Sequence, residues 1–357
     1  MMSTNPSEVN QAPLNGMRYS SLMIHEGNSK GRRCGGIPRA MIWSAFSLTL
    51  LLLVLVGSHA GPFDRPDRDF IFCFRVNGYE PDGWFGEPVA LAVDERAGVI
   101  YVADAKAGSV SAFSLQGVPK SQYGSEHGLK SPLGLAVDKQ GSLYVSESEG
   151  GPVKIISSKG EASTLELPAE EVKQPPKPGR MTFDRDGNLY VVDRANCLIY
   201  VFDKERKLKL KLGGMGDKRG EFKMLQDVAV DRQGRIYALD SVAVPVQVFD
   251  RKGKYIYRFG FRGEGEEDVS AAAALFIDRN DQIWVLDRGQ HCFKVFDRSG
   301  SFLRQLGGYG LDEGALFQPT DAEIDNLGRI YVVEAGARRL QVFSLNRPFE
   351  PFSPPGL

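Results

Sequence analysis

Between residues 88 and 345 the chain alternates short apolar runs with polar, glycine-bearing turns. Examples are "LAVD" at 91–94 and 135–138, "LYVVD" at 189–193 and "VQVFD" at 246–250. The runs are rich in β-branched and aromatic residues, which predicts strands. No useful length of this region carries a 3.6-residue apolar period, so a helical solenoid is excluded. Turns such as "DRDGN" and "DRQGR" separate the first run from the second. Their glycines, Gly98, Gly141, Gly187, Gly234 and Gly328, stand where a tight hairpin needs a positive φ. Asp281 takes that place once, and aspartate tolerates the left-handed region.

The pattern recurs in register. Asp94, Asp138, Asp184, Asp231, Asp278 and Asp325 are spaced by 44, 46, 47, 47 and 47 residues. A second acid follows each: Asp104, Glu147, Asp193, Asp240, Asp287 and Glu334. It stands nine residues on, except in the first copy, where one extra residue in "DERAG" makes it ten. An aromatic precedes each second acid by three: Tyr101, Tyr144, Tyr190, Tyr237, Trp284 and Tyr331. Nine residues beyond the second acid comes a large apolar residue: Phe113, Ile156, Phe202, Phe249, Phe296 and Phe343. Two further runs complete each copy. Four strands at this period predict a propeller blade, and six copies predict six blades.

The ends of the array predict how the ring closes. After "LQVFSLN" the chain runs into "RPFEPFSPPGL", whose four prolines oppose a paired strand. The sixth copy therefore lacks its fourth strand. "FCFRVNGYEPDGWFGEP" at 72–88 matches "FLRQLGGYGLDEGALFQP" at 302–319 with one residue deleted. Phe70 to Val76 should then supply the missing strand and leave the last blade without an open edge.

The pattern "PxxxxxDxxGxxYVxD…VQVF", over about 70 to 346, resembles the NHL repeat of six-bladed propellers. That resemblance implies strands ordered from axis to rim. It places the loops after the second strands on one face with the connections between blades. The second acids stand at the start of those loops. Their identity in every copy reads as structural: each accepts backbone N–H groups and shapes its loop. Residues that differ between copies are the candidate ligand contacts on that face: Arg194, Asn196, Arg288, His291, Arg338 and Arg339. Arginine suits carboxylates through its planar pair of donors. Cys197 and Cys292 occupy matching places in copies three and five and read as small buried side chains. A Pro-rich, charged stretch, "ELPAEEVKQPPKPG" at 166–179, replaces the usual "LGGxG" connection and reads as a rigid spacer.

Composition adds little to the fold and more to location. Hydrophobic residues make up 42% of 357, charged residues 25%, and the net charge is −1, so nothing invites nucleic acid. Residues 1–39 are polar and read as a disordered cytoplasmic tail. Ala40 to Gly57 carries no charge and at about 1.5 Å per residue nearly spans a bilayer of about 30 Å. Lys30, Arg32, Arg33 and Arg39 precede it, which keeps the amino terminus in the cytoplasm. Two readings of 40–60 stand open: a membrane anchor, or a signal peptide cleaved after Ala60. Either puts the propeller, 61–347, outside the cytoplasm, with a Pro-rich tail at 348–357.

Some propellers that resemble this one are enzymes. The peptidyl-hydroxyglycine lyases hold zinc through several histidines, and the gluconolactonase-like propellers hold a divalent cation in the channel. Four scattered histidines, and no GxSxG, HExxH or phosphate loop, do not fit such patterns. The expectation is a monomeric, non-catalytic binding or scaffold propeller without metal or cofactor. It docks a protein, a peptide or an envelope glycan on its loop face. The alternative is a metal-dependent lactonase- or lyase-like enzyme.

Overall fold

In the computed structural model, which describes residues 70–77, 85–170 and 172–345, the runs form six four-stranded antiparallel sheets. Six inner strands, Pro88–Asp94, Pro132–Val137, Pro178–Phe183, Leu225–Val230, Ala272–Ile277 and Pro319–Ile324, neighbour one another around a ring. They define blades one to six. In blades one to five the remaining strands follow outward in chain order. In blade six the outer strand is Phe70–Val76, paired antiparallel to Arg339–Leu345 with Phe70 opposite Leu345. The predicted closure is therefore observed. The Phe70 and Phe343 rings stack at 4.2 Å across it. The anchor or signal segment at 40–60, the tail before it and the Pro-rich tail at 348–357 lie outside the described residues. No helix among the described residues is long and apolar enough to cross a membrane.

Hydrogen bonds explain why the repeat keeps its acids and aromatics. Oδ1 of Asp184 accepts the backbone N–H groups of Asp186 and Asn188 at 2.9 and 2.8 Å, closing the hairpin. Its Oδ2 accepts the Tyr190 hydroxyl at 3.2 Å. The same aromatic bond runs from Tyr144 to Asp138 at 3.2 Å, Tyr237 to Asp231 at 3.4 Å, and Tyr331 to Asp325 at 3.0 Å. Trp284 does it with its indole N–H to Asp278 at 3.2 Å. Asp281, with φ of 59°, serves its hairpin where other copies use glycine. Blade one departs: its hairpin carries an extra residue, and no hydrogen bond joins Tyr101 to Asp94 among the described residues, although Tyr101 pairs with Ala92 in the common register.

The second acids are buried, and each ties two loops together. Asp104 accepts from Gly86 and Glu87 N–H at 2.6 and 2.9 Å, and Glu147 from Ser131 at 2.7 Å. Asp193 accepts from Lys177 at 2.9 Å, Asp240 from Lys223 at 2.7 Å, and Glu334 from Phe317 at 2.6 Å. Asp287 takes Ser270 at 2.7 Å and Ala271 at 3.0 Å. Each donor belongs to the connection that enters the acid's own blade. A buried backbone N–H without such a partner costs about 1–3 kcal/mol. Each acid thus staples the entering connection to its own blade.

The core lies between blades. At five interfaces the acid-bound aromatic of one blade meets a phenylalanine from the third strand of the next: Tyr144 with Phe202, Tyr190 with Phe249, Tyr237 with Phe296, Trp284 with Phe343, Tyr331 with Phe113. Between blades one and two the corresponding pair is Tyr101 with Ile156.

Candidate functional site

The ring presents two candidate regions: the lumen and the loop face. Small or apolar residues fill the lumen position four before the first acid in blades one, two and five: Ala90, Gly134 and Ala274. Blades three, four and six put Arg180, Asp227 and Asp321 there. Arg180 reaches across the axis from blade three to blade six. It forms an ion pair with Asp321 and donates to the Thr320 carbonyl at 2.5 Å. The lumen they share measures ≈ 290 Å³.

The other lumen bonds run to neighbouring strands. Asp321 Oδ2 accepts Leu91 N–H at 2.9 Å and Asp227 Oδ2 accepts Leu275 N–H at 2.9 Å, each from the next blade. Glu323 accepts Val93 N–H at 2.9 Å through Oε2. Burial pushes the Asp227 carboxyl up to about 7, against the pull of Arg180. Burial, reinforced by the charge of Asp321, pushes Glu323 up to about 8. Near neutrality this lumen therefore holds protons on carboxyl groups that would be ionised in water.

A divalent cation does not fit this donor set. Both oxygens of Asp227 accept backbone N–H groups, and the guanidinium of Arg180 sits on Asp321. Among the described residues no three His, Cys, Asp or Glu side chains converge as a metal-binding group.

The loop face is built differently. Three long connections cross it, from blade three to four, four to five and five to six. Each is pinned by a short parallel bridge: Met215 to Phe222, Arg262 to Val269, Tyr309 to Leu316. One buried polar side chain from the third strand below then holds each loop. Gln247 donates to the Glu221 carbonyl at 2.7 Å, Gln341 to that of Ala315 at 2.8 Å, and the Lys294 ammonium to that of Glu266 at 2.6 Å. Loops fixed in this way expose large apolar residues, Met215, Met224, Phe261, Tyr309 and Leu311, with Phe261 72% and Tyr309 69% exposed, and Val242 is exposed on the loop after the second strand of blade four. Hydrogen bonds link the loops side by side. Arg262 donates to the Ser270 carbonyl at 2.8 Å and also to that of Ser241, whose own N–H donates to the Met224 carbonyl at 3.0 Å.

The residues nominated from sequence divide on this face. Arg288 and Arg338 are exposed. His291 lies beside Tyr309, with ring centroids 5.1 Å apart, and its Nδ1 accepts Gln318 N–H at 3.0 Å. Burial holds its pKa below the ordinary histidine value, which suits that neutral acceptor. Arg194 donates to the Ser148 carbonyl at 2.9 Å, and its Nε is buried without a partner.

Asn196 and Arg339 are given over to scaffolding, which corrects their assignment as ligand contacts. Asn196 bridges Asp193 at 2.7 Å and the Gln174 carbonyl at 2.9 Å, pinning the Pro-rich connection. Arg339 is buried against Glu334 at 2.6 Å and donates to the carbonyls of Leu311 at 2.7 Å and Ala315 at 2.9 Å. Cys197 and Cys292 are buried free thiols, and burial pushes Cys292 up to about 12.

Sequence reasoning missed two things. It missed Arg180, Asp227, Asp321 and Glu323, although a charged residue where other copies place alanine or glycine was a readable signal. It also missed the exposed apolar residues of the connections, which blend into the apolar background of a strand-rich chain.

Comparison with known proteins agrees with this architecture. A family described as 6-bladed beta-propeller matches residues 178–244 and 233–294. The chain is similar to NHL repeat-containing protein 2 of Gallus gallus, with 28% identity over 167 residues. That match spans 38% of this chain and 23% of the relative. A solved gluconolactonase from Xanthomonas campestris superposes with a TM-score of 0.57 at 16% identity, over 79% of this chain and 99% of its own. A virginiamycin B lyase from Staphylococcus aureus superposes with a TM-score of 0.55 at 12% identity, over 78% of this chain and 100% of its own. At such identities the two enzymes share the fold with this chain, and a shared propeller fold carries no chemistry with it.

Proposed function

We propose that this chain, a six-bladed propeller of the NHL-repeat type, is a non-catalytic docking module that holds a protein or peptide on its loop face. The observation that carries the reading is the run of exposed apolar side chains on pinned connections from blade three to blade six. Exposed aromatic anchors on rigid loops bind with little ordering cost, and arginine and tyrosine are the side chains that dominate such contacts. Arg288 and Arg338, both exposed, would supply a charged rim. The lumen is a poor rival, because Arg180 spans it. Segment 40–60 would hold or export the propeller so that this face works outside the cytoplasm.

The test is crosslinking capture from cells with the full-length protein and two double variants, Phe261→Ser with Tyr309→Ser, and Arg288→Ala with Arg338→Ala. Loss of one specific captured partner at unchanged melting temperature supports docking. Undiminished capture by both variants sinks it.

One observation favours a second reading, a lactonase- or lyase-like enzyme: lumen carboxyls placed to exchange protons near neutrality. Elemental analysis and melting with and without chelator, beside a lactone-hydrolysis assay, separate the two. A stoichiometric divalent ion with chelator-sensitive stability, or turnover lost in Asp227→Asn, would favour the enzyme.

A further inference from the structure

The interface between blades one and two breaks the repeat at three places, and the breaks meet. First, the hairpin between Asp94 and Tyr101 is one residue longer than in the other blades, and the aromatic-to-acid bond is not made there although Tyr101 keeps the common strand register opposite Ala92. Second, Ile156 stands where five blades place phenylalanine. Third, blade two carries Ser157 and Ser158 where blades three to five place Asp followed by Lys or Arg.

That third position matters because three other interfaces are closed by a basic residue from the outer hairpin of the following blade. From the position of Ser158, Arg251 of blade four reaches Asp186 at 3.5 Å and Arg298 of blade five donates to Gln233 at 2.7 Å; in blade three Arg206, two residues further along the hairpin where blade two has Gly160, donates to the Tyr144 hydroxyl at 2.8 Å. Ser158 is too short to do the same. The result is a cleft of ≈ 380 Å³ lined by Asp94, Tyr101, Tyr123, Ile156, Ser157 and Ser158. Its volume falls in the range of small-ligand sites.

The chemistry of the cleft follows from the broken bond. Asp94 Oδ1 accepts the N–H groups of Arg96 and Ala97, both at 3.0 Å. Its Oδ2 faces Gly141 across the cleft: a Cβ added there would lie 3.5 Å from it and 3.6 Å from Ser158 Cβ. Elsewhere in the ring an aromatic donor satisfies that oxygen. Here the carboxylate oxygen and the Tyr101 phenol line one cavity. The group that answers both is one that donates and accepts, a hydroxyl. Ser157 and Ser158 add further hydroxyls, and the ring of Tyr123 adds an apolar wall 6.3 Å from that of Tyr101. At the rim Arg96 donates to the Lys139 carbonyl at 2.9 Å, which sets one guanidinium at the mouth of the cleft, while the Lys139 ammonium turns to the Arg185 carbonyl of blade three.

We propose that this cleft binds a polyhydroxylated ring, a saccharide unit that is neutral or carries a single carboxylate. The site lies between the first-acid hairpins of blades one and two, on the opposite side of the ring from the docking face, and does not depend on it.

Saturation-transfer NMR on the full-length protein tests this, with methyl β-D-glucoside, N-acetylglucosamine and D-glucuronate as probes at millimolar concentration. The expected result is transfer from the ring protons of at least one sugar. Ile156→Phe restores the side chain of the other five blades, fills the cleft and should abolish transfer at an unchanged melting temperature. Tyr101→Phe keeps the ring, removes the phenol and should weaken binding about tenfold, the worth of one hydrogen bond of about 1.4 kcal/mol. The docking variant Phe261→Ser with Tyr309→Ser should bind sugar as the parent does. Transfer from no probe, or transfer unchanged in both Ile156→Phe and Tyr101→Phe, would overturn the proposal.

Discussion

The interface between blades five and six and the one between blades one and two are built from the same repeat positions and differ in what fills them. The first is a stack of rings: Phe276 lies 5.6 Å from Trp284, Trp284 lies 5.8 Å from Phe293, and Phe343 packs among them. The second is lined by Ala90, Ala92, Ala103 and Ala112 against Leu135, Leu143 and Ile156, and it leaves a cleft. Both have the same strand pairing. Backbone hydrogen bonds and buried acids therefore suffice to set the blade, and side-chain volume decides whether an interface is solid or open. A repeat can carry a local site at little cost to the ring, because each blade is held by its own acids.

The largest test of this contrast swaps the fillers. Phe343→Ala should cost about 3–5 kcal/mol, the range for removing a buried ring, read by urea unfolding. Ile156→Phe should cost well under the about 1–3 kcal/mol of overpacking a filled core, because the cleft accepts the ring. Comparable losses in the two variants would show that the cleft is closed in solution.

The next test removes one hydroxyl from each side. Tyr331→Phe leaves Asp325 without the phenol that donates to it at 3.0 Å and should cost about 1–3 kcal/mol. Tyr101→Phe, with no such bond to lose, should stay within about 0.5 kcal/mol. An equal cost would mean that Tyr101 has a buried partner and would undercut the sugar cleft.

The smallest test concerns pH and compares inner strands. Glu323 of blade six stands where blade one has Ala92. Its carboxyl titrates at about 8 in the fold, above its value in the unfolded chain. Between those values the native state holds the extra proton. Stability from this group is therefore full at acid pH and falls as pH rises through that window, by at most about 1.4 kcal/mol per unit. Glu323→Gln should flatten the midpoint curve between about pH 5 and pH 8. A curve of unchanged slope would show Glu323 to be hydrated and ordinary.

Much of the fold was legible because the repeat writes its hydrogen bonds into the chain. An acid, an aromatic six residues later and a second acid three beyond that are one hairpin and one loop staple. Arg288 and Arg338, nominated from the loops after the second strands, are exposed. Asn196 and Arg339 were chosen by the same logic and turned out to be scaffolding, since burial and a neighbouring Asp193 or Glu334 are invisible in a loop sequence. The cleft had its signals in the extra residue of "DERAG" and in Ile156, but each alone reads as a tolerated variation.

The sequence by itself determined the blade count, the strand order and the closing strand, because all three depend on local pairing repeated at a constant period. Only the tertiary structure decided which side chains face each other across the ring. Arg180 and Asp321 are far apart in the chain and occupy equivalent positions in opposite blades, so no local pattern joins them. Ring closure brings them within reach, and the low dielectric of the lumen then makes their charges matter. The same closure sets Tyr101 of one blade against Ile156 of the next and turns two small departures from a repeat into a cavity.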